Sequence, residues 1–372
     1  MKVRGRLRAL WTPRILAALA VVALGMCWLP SCGVRYVVRS GYYQMELMAA
    51  REPVDEVLQS HELSAGQEQR LRMIATFKAY GKDTLGLSAT ENYDTVAVHW
   101  GRTIWNLTAC DPLSFTPRTW WFPVVGRMPY LGYFVESQAR DMEEQMKGEG
   151  LDVYVRTAGA YSTLGWFRDP VLPGMLSWSE ADLADTVFHE LAHATLWIPG
   201  SAMFNESFAE QVGVASMHTW MVDTYGEDSP QYRAVLQGER DDKAYTALLH
   251  LLAADLDAVF ANSALDSQSK LEKKALLYAS IPDRIAKSDI SQKDAYTRWA
   301  ARDTWNNARI IQFKTYNAAD DEFAVVLARH DLGHGRTDVK GFINEIQTIM
   351  HPVGAGWVDD PFVALQAAAR VP

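Results

Sequence analysis

Two histidines four residues apart, with a glutamate beside the first, are the residues of this chain best suited to chemistry: His189-Glu190-Leu191-Ala192-His193. On a helix, positions i and i+4 stand one turn apart on one face, so both imidazoles can grip one metal ion while Glu190 sits next to them. Catalytic zinc usually takes three protein ligands and a water, and a carboxylate is the common third ligand where histidines supply two. Glu206, in the stretch Asn205-Glu206-Ser207-Phe208-Ala209-Glu210, fits that role. Zn2+ is therefore the expected cofactor, held by His189, His193 and Glu206, with Glu190 as the base that takes a proton from water. Glu210, one turn after Glu206, is placed to orient a zinc-bound histidine or, equally, to face solvent as an ordinary helix acid.

The elements that must position these groups can be read around them. An apolar segment of helical length runs from Leu183 to Ile198, opened by Ser179, Glu180, Asp182 and Asp185, which suit the positive end of a helix. Pro199-Gly200-Ser201 should turn the chain, and a second helix is expected to start near Asn205 and bring Glu206 back onto the first. A packing-only helix that holds no catalytic metal is the competing reading.

Asn205-Glu206-Ser207-Phe208-Ala209 resembles the Asn-Glu-x-x-Ala element of zinc aminopeptidases of the gluzincin group, whose glutamate is the third zinc ligand. A wider set of residues resembles a family of bacterial zinc-dependent lipoprotein aminopeptidases: Val125-Gly126 through Tyr130, Gly132-Tyr133-Phe134, Asp152-Val153-Tyr154, Ala160 through Phe167 with Asp169-Pro170, and Asn306-Asn307-Ala308 with Tyr316. This likeness spans nearly the whole chain after its first residues. It implies removal of N-terminal residues from peptides, and an oxyanion-stabilising tyrosine or histidine in the C-terminal part. Tyr316 is the choice for that role and Tyr161 its rival. The Gly-Ala-Met-Glu-Asn element that binds the substrate amine in related aminopeptidases is absent, and Glu136, Glu210 or another acid could replace it.

Residues 1–31 read as a signal peptide: Lys2, Arg4, Arg6, Arg8 and Arg14 without an acid, then an apolar run of 15 residues from Ile15 to Leu29. That run is short for a membrane span, which needs about 20 residues. Leu29-Pro30-Ser31-Cys32 resembles the lipobox of bacterial lipoproteins, which implies lipidation of Cys32, a membrane anchor through that lipid, and a periplasmic domain, with Gly33 favouring the outer membrane. Loss of residues 1–31 with their five cations would take the formal charge from −9 to −14. Such an acidic chain lacks the basic face that displaces counterions from phosphates, so nucleic acid is not an expected partner. Of three cysteines, Cys110 would remain as a free thiol, and nothing in Leu107 to Pro112 suggests a base to activate it.

The rest divides without a linker or repeat, giving one catalytic unit over residues 32–372 with a helical N-terminal part at about 36–80. Helical spacing appears from Gly41 to about Gln59, Ser64 to Tyr80, Gly132 to Met146, Ala244 to Phe260, Ser269 to Tyr278, Ala295 to Thr315 and Phe342 to Met350. Asp152 to Val155 and Tyr161 to Phe167 read as strands, the second as the edge along which a peptide substrate could lie. His99, His218, His250, His330, His334 and His351 stand outside any ligand spacing. The expected fold is α+β and predominantly helical, a zincin-like core with a small sheet beside the His189–His193 helix. Besides an aminopeptidase, a zinc endopeptidase of envelope proteins and a catalytically silent scaffolding lipoprotein remain open.

Overall fold

The computed structural model describes residues 32–60, 62–122, 126–158, 168–302, 304–314, 320–354 and 356–370. Two compact units divide the chain, Met1–Ala50 and Arg51–Pro372. The described part of the first is one helix, Cys32–Ala49 (α1). The single helix expected from Gly41 to about Gln59 is thus corrected. The chain leaves the helix at Ala49, runs extended through Glu52–Pro53 (β1) and re-enters a helix at Val54–Ser60 (α2). Pro53 lacks the N–H that a helix interior needs, and its ring would clash one turn back.

Ala65–Asp83 forms α3 under a capping box, in which the Gln67 N–H donates to Ser64 Oγ and the Ser64 N–H to Gln67 Oε1. There follow Thr95–Val96 (β2), Trp105–Cys110 (β3), Trp120–Phe122 (β4), Gly126–Met128 (β5), Leu131–Tyr133 (β6), Glu136–Gly148 (α4) and Asp152–Thr157 (β7). Two long helices come next, Glu180–Thr195 (α5) and Ala202–Tyr225 (α6), then Pro230–Ala261 (α7), Ser267–Ala279 (α8), Ile281–Lys287 (α9), Lys293–Ala300 (α10) and Asn307–Lys314 (α11). The chain closes with Asp320–Ala328 (α12), Asp331–Gly333 (β8), Arg336–Thr337 (β9), Val339–Met350 (α13) and Pro361–Ala369 (α14). The fold is predominantly helical with small antiparallel sheets, an α+β arrangement.

The largest sheet among the described residues has the order β6-β3-β7, all antiparallel. Gly132, read as part of a helix, instead pairs with Asn106, and α4 begins only at Glu136. The central strand β3 had no sequence signal, because Leu107, Thr108, Ala109 and Cys110 are all buried and show no alternation. Its register sets Cys110 opposite Asp152 and Thr108 opposite Tyr154 on one face, where Cys110 and Tyr154 pack with Ala308 and Ile311 of α11. Leu107, Ala109, Val153 and Val155 occupy the other face, and α4 packs against the same strands.

A polar knot ties this sheet to the C-terminal helices. Asp152 Oδ2 accepts from the Asn307 N–H at 2.7 Å and from Lys274 Nζ at 2.5 Å, while the Asn307 side chain donates to the carbonyls of Pro112 and Ser114 and accepts from Tyr278 Oη. Asn306 Nδ2 donates to the Val153 carbonyl at 2.7 Å. The family-like positions Asn306, Asn307 and Ala308 therefore serve the fold. The helix expected over Ala295 to Thr315 is two helices, α10 and α11, because the chain must break between them to bring Asn307 under Asp152. The helix read at Ala244 to Phe260 starts earlier, at Pro230, where Ser229 caps it, and its Tyr245, Leu249, Leu252 and Leu256 form a core with Ile281, Ile285 and Ile310.

Candidate metal centre

α5 starts where its cap allows. Ser179 Oγ accepts from the Asp182 N–H at 3.1 Å, and Glu180 and Asp182 occupy the positive first turn. Leu183, Val187 and Leu191, with Ala184, Phe188 and Ala192, make one broad apolar stripe. α3 lies on that stripe: Phe77 meets Phe188 edge-on with centroids 6.0 Å apart, and a side chain on Gly81 would meet Leu191 Cδ1 at 2.7 Å. α6 is backed by a cluster in which Phe204 meets Phe323 and Phe362, and Phe208 meets Phe342. Both helices are thereby held by apolar neighbours, leaving their shared seam for polar groups.

α5 ends at Thr195, three residues before the expected Ile198. Pro199 disfavours a helical Ile198, and Leu196 is already extended. The connection is fastened by a fully buried Asn205: the Ile198 N–H donates to its Oδ1 and its Nδ2 donates to the Ile198 carbonyl, both at 2.9 Å. This amide replaces the backbone pairing that a strand partner would give, and it fixes Glu206, the next residue, relative to α5.

The three expected ligands converge. His189 Nε2 and His193 Nε2 lie 3.1 Å apart, and Glu206 oxygens stand 3.4 Å from the first and 3.6 Å from the second. All three donor atoms fall within 4.8 Å of one another, and among the described residues theirs is the group of this kind that could hold a metal ion. The histidines are largely buried and Glu206 is half exposed, so the seam opens to solvent on the carboxylate side. Burial opposes ionisation of Glu206, but hydrogen bonds from His189 and His193 outweigh it and pull the carboxyl down to about 2. Burial also opposes the charged form of His189, yet Glu206, Glu190 and Asp185 hold its pKa above the ordinary histidine range. The seam thus favours positive charge between these groups. His193 Nδ1 is buried without a hydrogen-bond partner, its ring edge-on to Trp197 at 5.5 Å. Two imidazoles and a carboxylate are a donor set that suits zinc.

Glu190, 7% exposed, is buried beside the ligand set. Burial raises its pKa first; His189 and His193 lower it, and Asp169 and Glu206 raise it again. Asp169 and Tyr93 are buried with it, and the Tyr93 N–H donates to the Asp169 carbonyl at 2.8 Å. Tyr93 has φ 65°, a left-handed conformation uncommon for a tyrosine.

Sequence reasoning missed Tyr93 and placed Asp169 only among the family-like residues; no spacing connects either to the motif. Asp185 was read as a helix-opening acid; it lies in the second turn, close to Gly213 on α6, and burial pushes its carboxyl up to about 6. Its separation of four residues from His189 was the available signal. Glu210 lies partly buried on α6, one turn after Glu206. Glu136 is paired with Arg140 on α4. Tyr316, Tyr161 and the strand read around it lie outside the described residues, as do residues 1–31, read as a signal peptide. Of the other histidines, His218 sits between Tyr232 Oη and Glu239, His250 meets the Phe313 carbonyl, and His330 and His334 pair with Glu345 and Glu227. His99 pairs with Glu62, and the His351 ring lies against Trp357. No curated protein and no solved structure matches the chain. Residues 35–352, which include α5, α6 and every donor just described, match the family described as "Putative aminopeptidase", and the chain belongs to that family.

Proposed function

We propose that the protein is a zinc-dependent aminopeptidase of the bacterial cell envelope. The observation that carries this reading is the convergence of His189, His193 and Glu206 beside a buried Glu190, in a chain of an aminopeptidase family. His189 and His193 would each offer a ring nitrogen to the metal and Glu206 a carboxylate oxygen, and the surrounding helices form a zincin-like core. Zinc in this seam supplies Lewis acidity toward a peptide carbonyl and makes a water acidic at neutral pH. Glu190 accepts the proton of the attacking water and delivers it to the leaving amine; a carboxylate whose pKa is lifted by burial is suited to both steps. Tyr316 is the proposed donor to the oxyanion and Glu210 the acid that orients a zinc-holding histidine. Cys32 carries the lipid that anchors the protein, with the catalytic domain in the periplasm and the outer membrane as the expected location.

The test pairs zinc analysis of the purified chain with two short peptides, one free and one N-acetylated, followed by mass spectrometry. Stepwise loss of N-terminal residues from the free peptide alone is expected, because an aminopeptidase holds the substrate ammonium and an unpaired ammonium in a partly dry cleft is costly. Equal cleavage of both peptides would make the protein an endopeptidase. A chain that binds zinc but cleaves neither would leave the scaffolding role.

A further inference from the structure

Gly213 lies seven residues after Glu206 on α6, about two turns on, and so on the same face. A methyl group on its Cα would stand 2.5 Å from Asp185 Oδ1, 3.0 Å from the Asp185 carbonyl oxygen and 3.3 Å from His189 Cβ. Its backbone is not in the left-handed region, and glycine is poorer than alanine inside a helix, so the position uses glycine for space and not for conformation. Gly238 on α7 is the contrast, with nothing within 4 Å of the place its Cβ would occupy. The Asp185 carboxylate could swing aside for a methyl group, but its carbonyl oxygen belongs to the turn that leads into His189 and moves only with the helix.

We propose that Gly213 is a positioning residue for the metal: its missing side chain sets the separation of α5 and α6, and with it the distance between His189 and Glu206. This rests on the zinc reading above. The separation of two packed helices follows the size of the residues between them. Donor distances in a metal site are tolerant to only about 0.2 Å. A methyl group at Gly213 forces its neighbours to give by a few tenths of an ångström, at a contact that includes the ligand His189 itself. Glu206 and His189 come from opposite helices, so a wider seam separates them although neither is altered.

The experiment measures Zn2+ affinity of the full chain against a chromophoric chelator, and the visible absorption of the Co2+-loaded protein, for wild type, Gly213→Ala, Gly238→Ala, Asp185→Ala and the double variant Gly213→Ala/Asp185→Ala. Gly213→Ala should weaken Zn2+ binding roughly 10- to 100-fold, the scale on which supporting residues act, and should alter the Co2+ spectrum, while far-ultraviolet circular dichroism is kept. Gly238→Ala should change neither. Zinc affinity of Gly213→Ala within twofold of wild type would overturn the proposal and leave the zinc reading standing. A wild type that takes up no zinc would overturn both. If Gly213→Ala fails to fold, the double variant keeps the carbonyl contact without the carboxylate, and it should still bind zinc more weakly than Asp185→Ala. Equal affinity there, or failure of both Gly213→Ala chains to fold, would make Gly213 a requirement of folding alone and overturn the positioning role.

Discussion

A carboxyl group withdrawn from water holds its proton to higher pH, and two carboxyls beside the histidines are in that position for different ends. Glu190 is the proposed base and binds no metal, so Glu190→Gln should retain zinc and lose about two to four decades of turnover, the usual size of a general-base contribution. Near-normal turnover with the metal in place would remove Glu190 from the reaction. Asp185 takes no part in proton transfer, yet burial lifts it to about 6 from 3.8. Between about pH 4 and 6 the folded, metal-free chain keeps a proton that the unfolded chain has released. The Asp185 contribution to stability is therefore greatest below that window, falls as pH rises through it, and is level above. Asp185→Asn should remove that contribution, so that stability falls less between about pH 4 and 6, and stabilise the metal-free protein at pH 7 by on the order of 1–3 kcal/mol. Thermal denaturation at pH 4.5 and pH 7 checks this, and an unchanged difference between the two would refute it. Cys110 shows the same physics in a thiol: burial and then Asp152 push it up to about 12. Packed under Ala308, it should resist alkylation at pH 8 until the protein is unfolded; rapid labelling of the native chain would contradict that.

Between α5 and α6 the decisive connection is only six residues long, and one side chain governs it. Asn205→Ala would leave the Ile198 N–H buried and unpaired, while the Ile198 carbonyl keeps the Ser201 N–H at 3.2 Å, at a cost of about 1–3 kcal/mol. Zinc affinity should fall as well, although no ligand is removed. Urea denaturation and chelator competition measure the two effects, and a loss of stability with unchanged affinity would separate the connection from the site. The helices that carry the centre were legible because local signals agree there: Ser179 as cap, a 3–4 apolar spacing, and Pro199 beyond the end. Where an element depends on distant partners, the sequence said less. β3 is buried on both faces and shows no alternation, and Gly132 belongs to a strand only because Asn106 lies opposite it. The break between α10 and α11 answers to Asp152, more than 150 positions away. The donors themselves were readable from spacing, whereas Asp169 and Tyr93 reach the site through packing that no periodicity encodes.

For the molecule as a whole, the proposed anchor makes location separable from catalysis. Cys32→Ser, and more cleanly a chain that begins at Gly33, should leave the membrane fraction while keeping zinc and peptidase activity, because the acyl chains supply the attachment. Membrane retention of the chain beginning at Gly33 would refute the anchor. The order in which parts of the protein can assemble follows from where its contacts fall along the chain. His189 and Glu206 meet across a short loop, so the entropy lost in closing it is small, whereas the Asp152–Asn307 contact must close a loop of more than 150 residues. Contacts that are close in sequence form sooner than distant ones. A nascent chain that has emerged only as far as Gly226 already carries all three donors on two complete helices, so metal capture and the closing of the sheet can fall at different times in the life of one molecule.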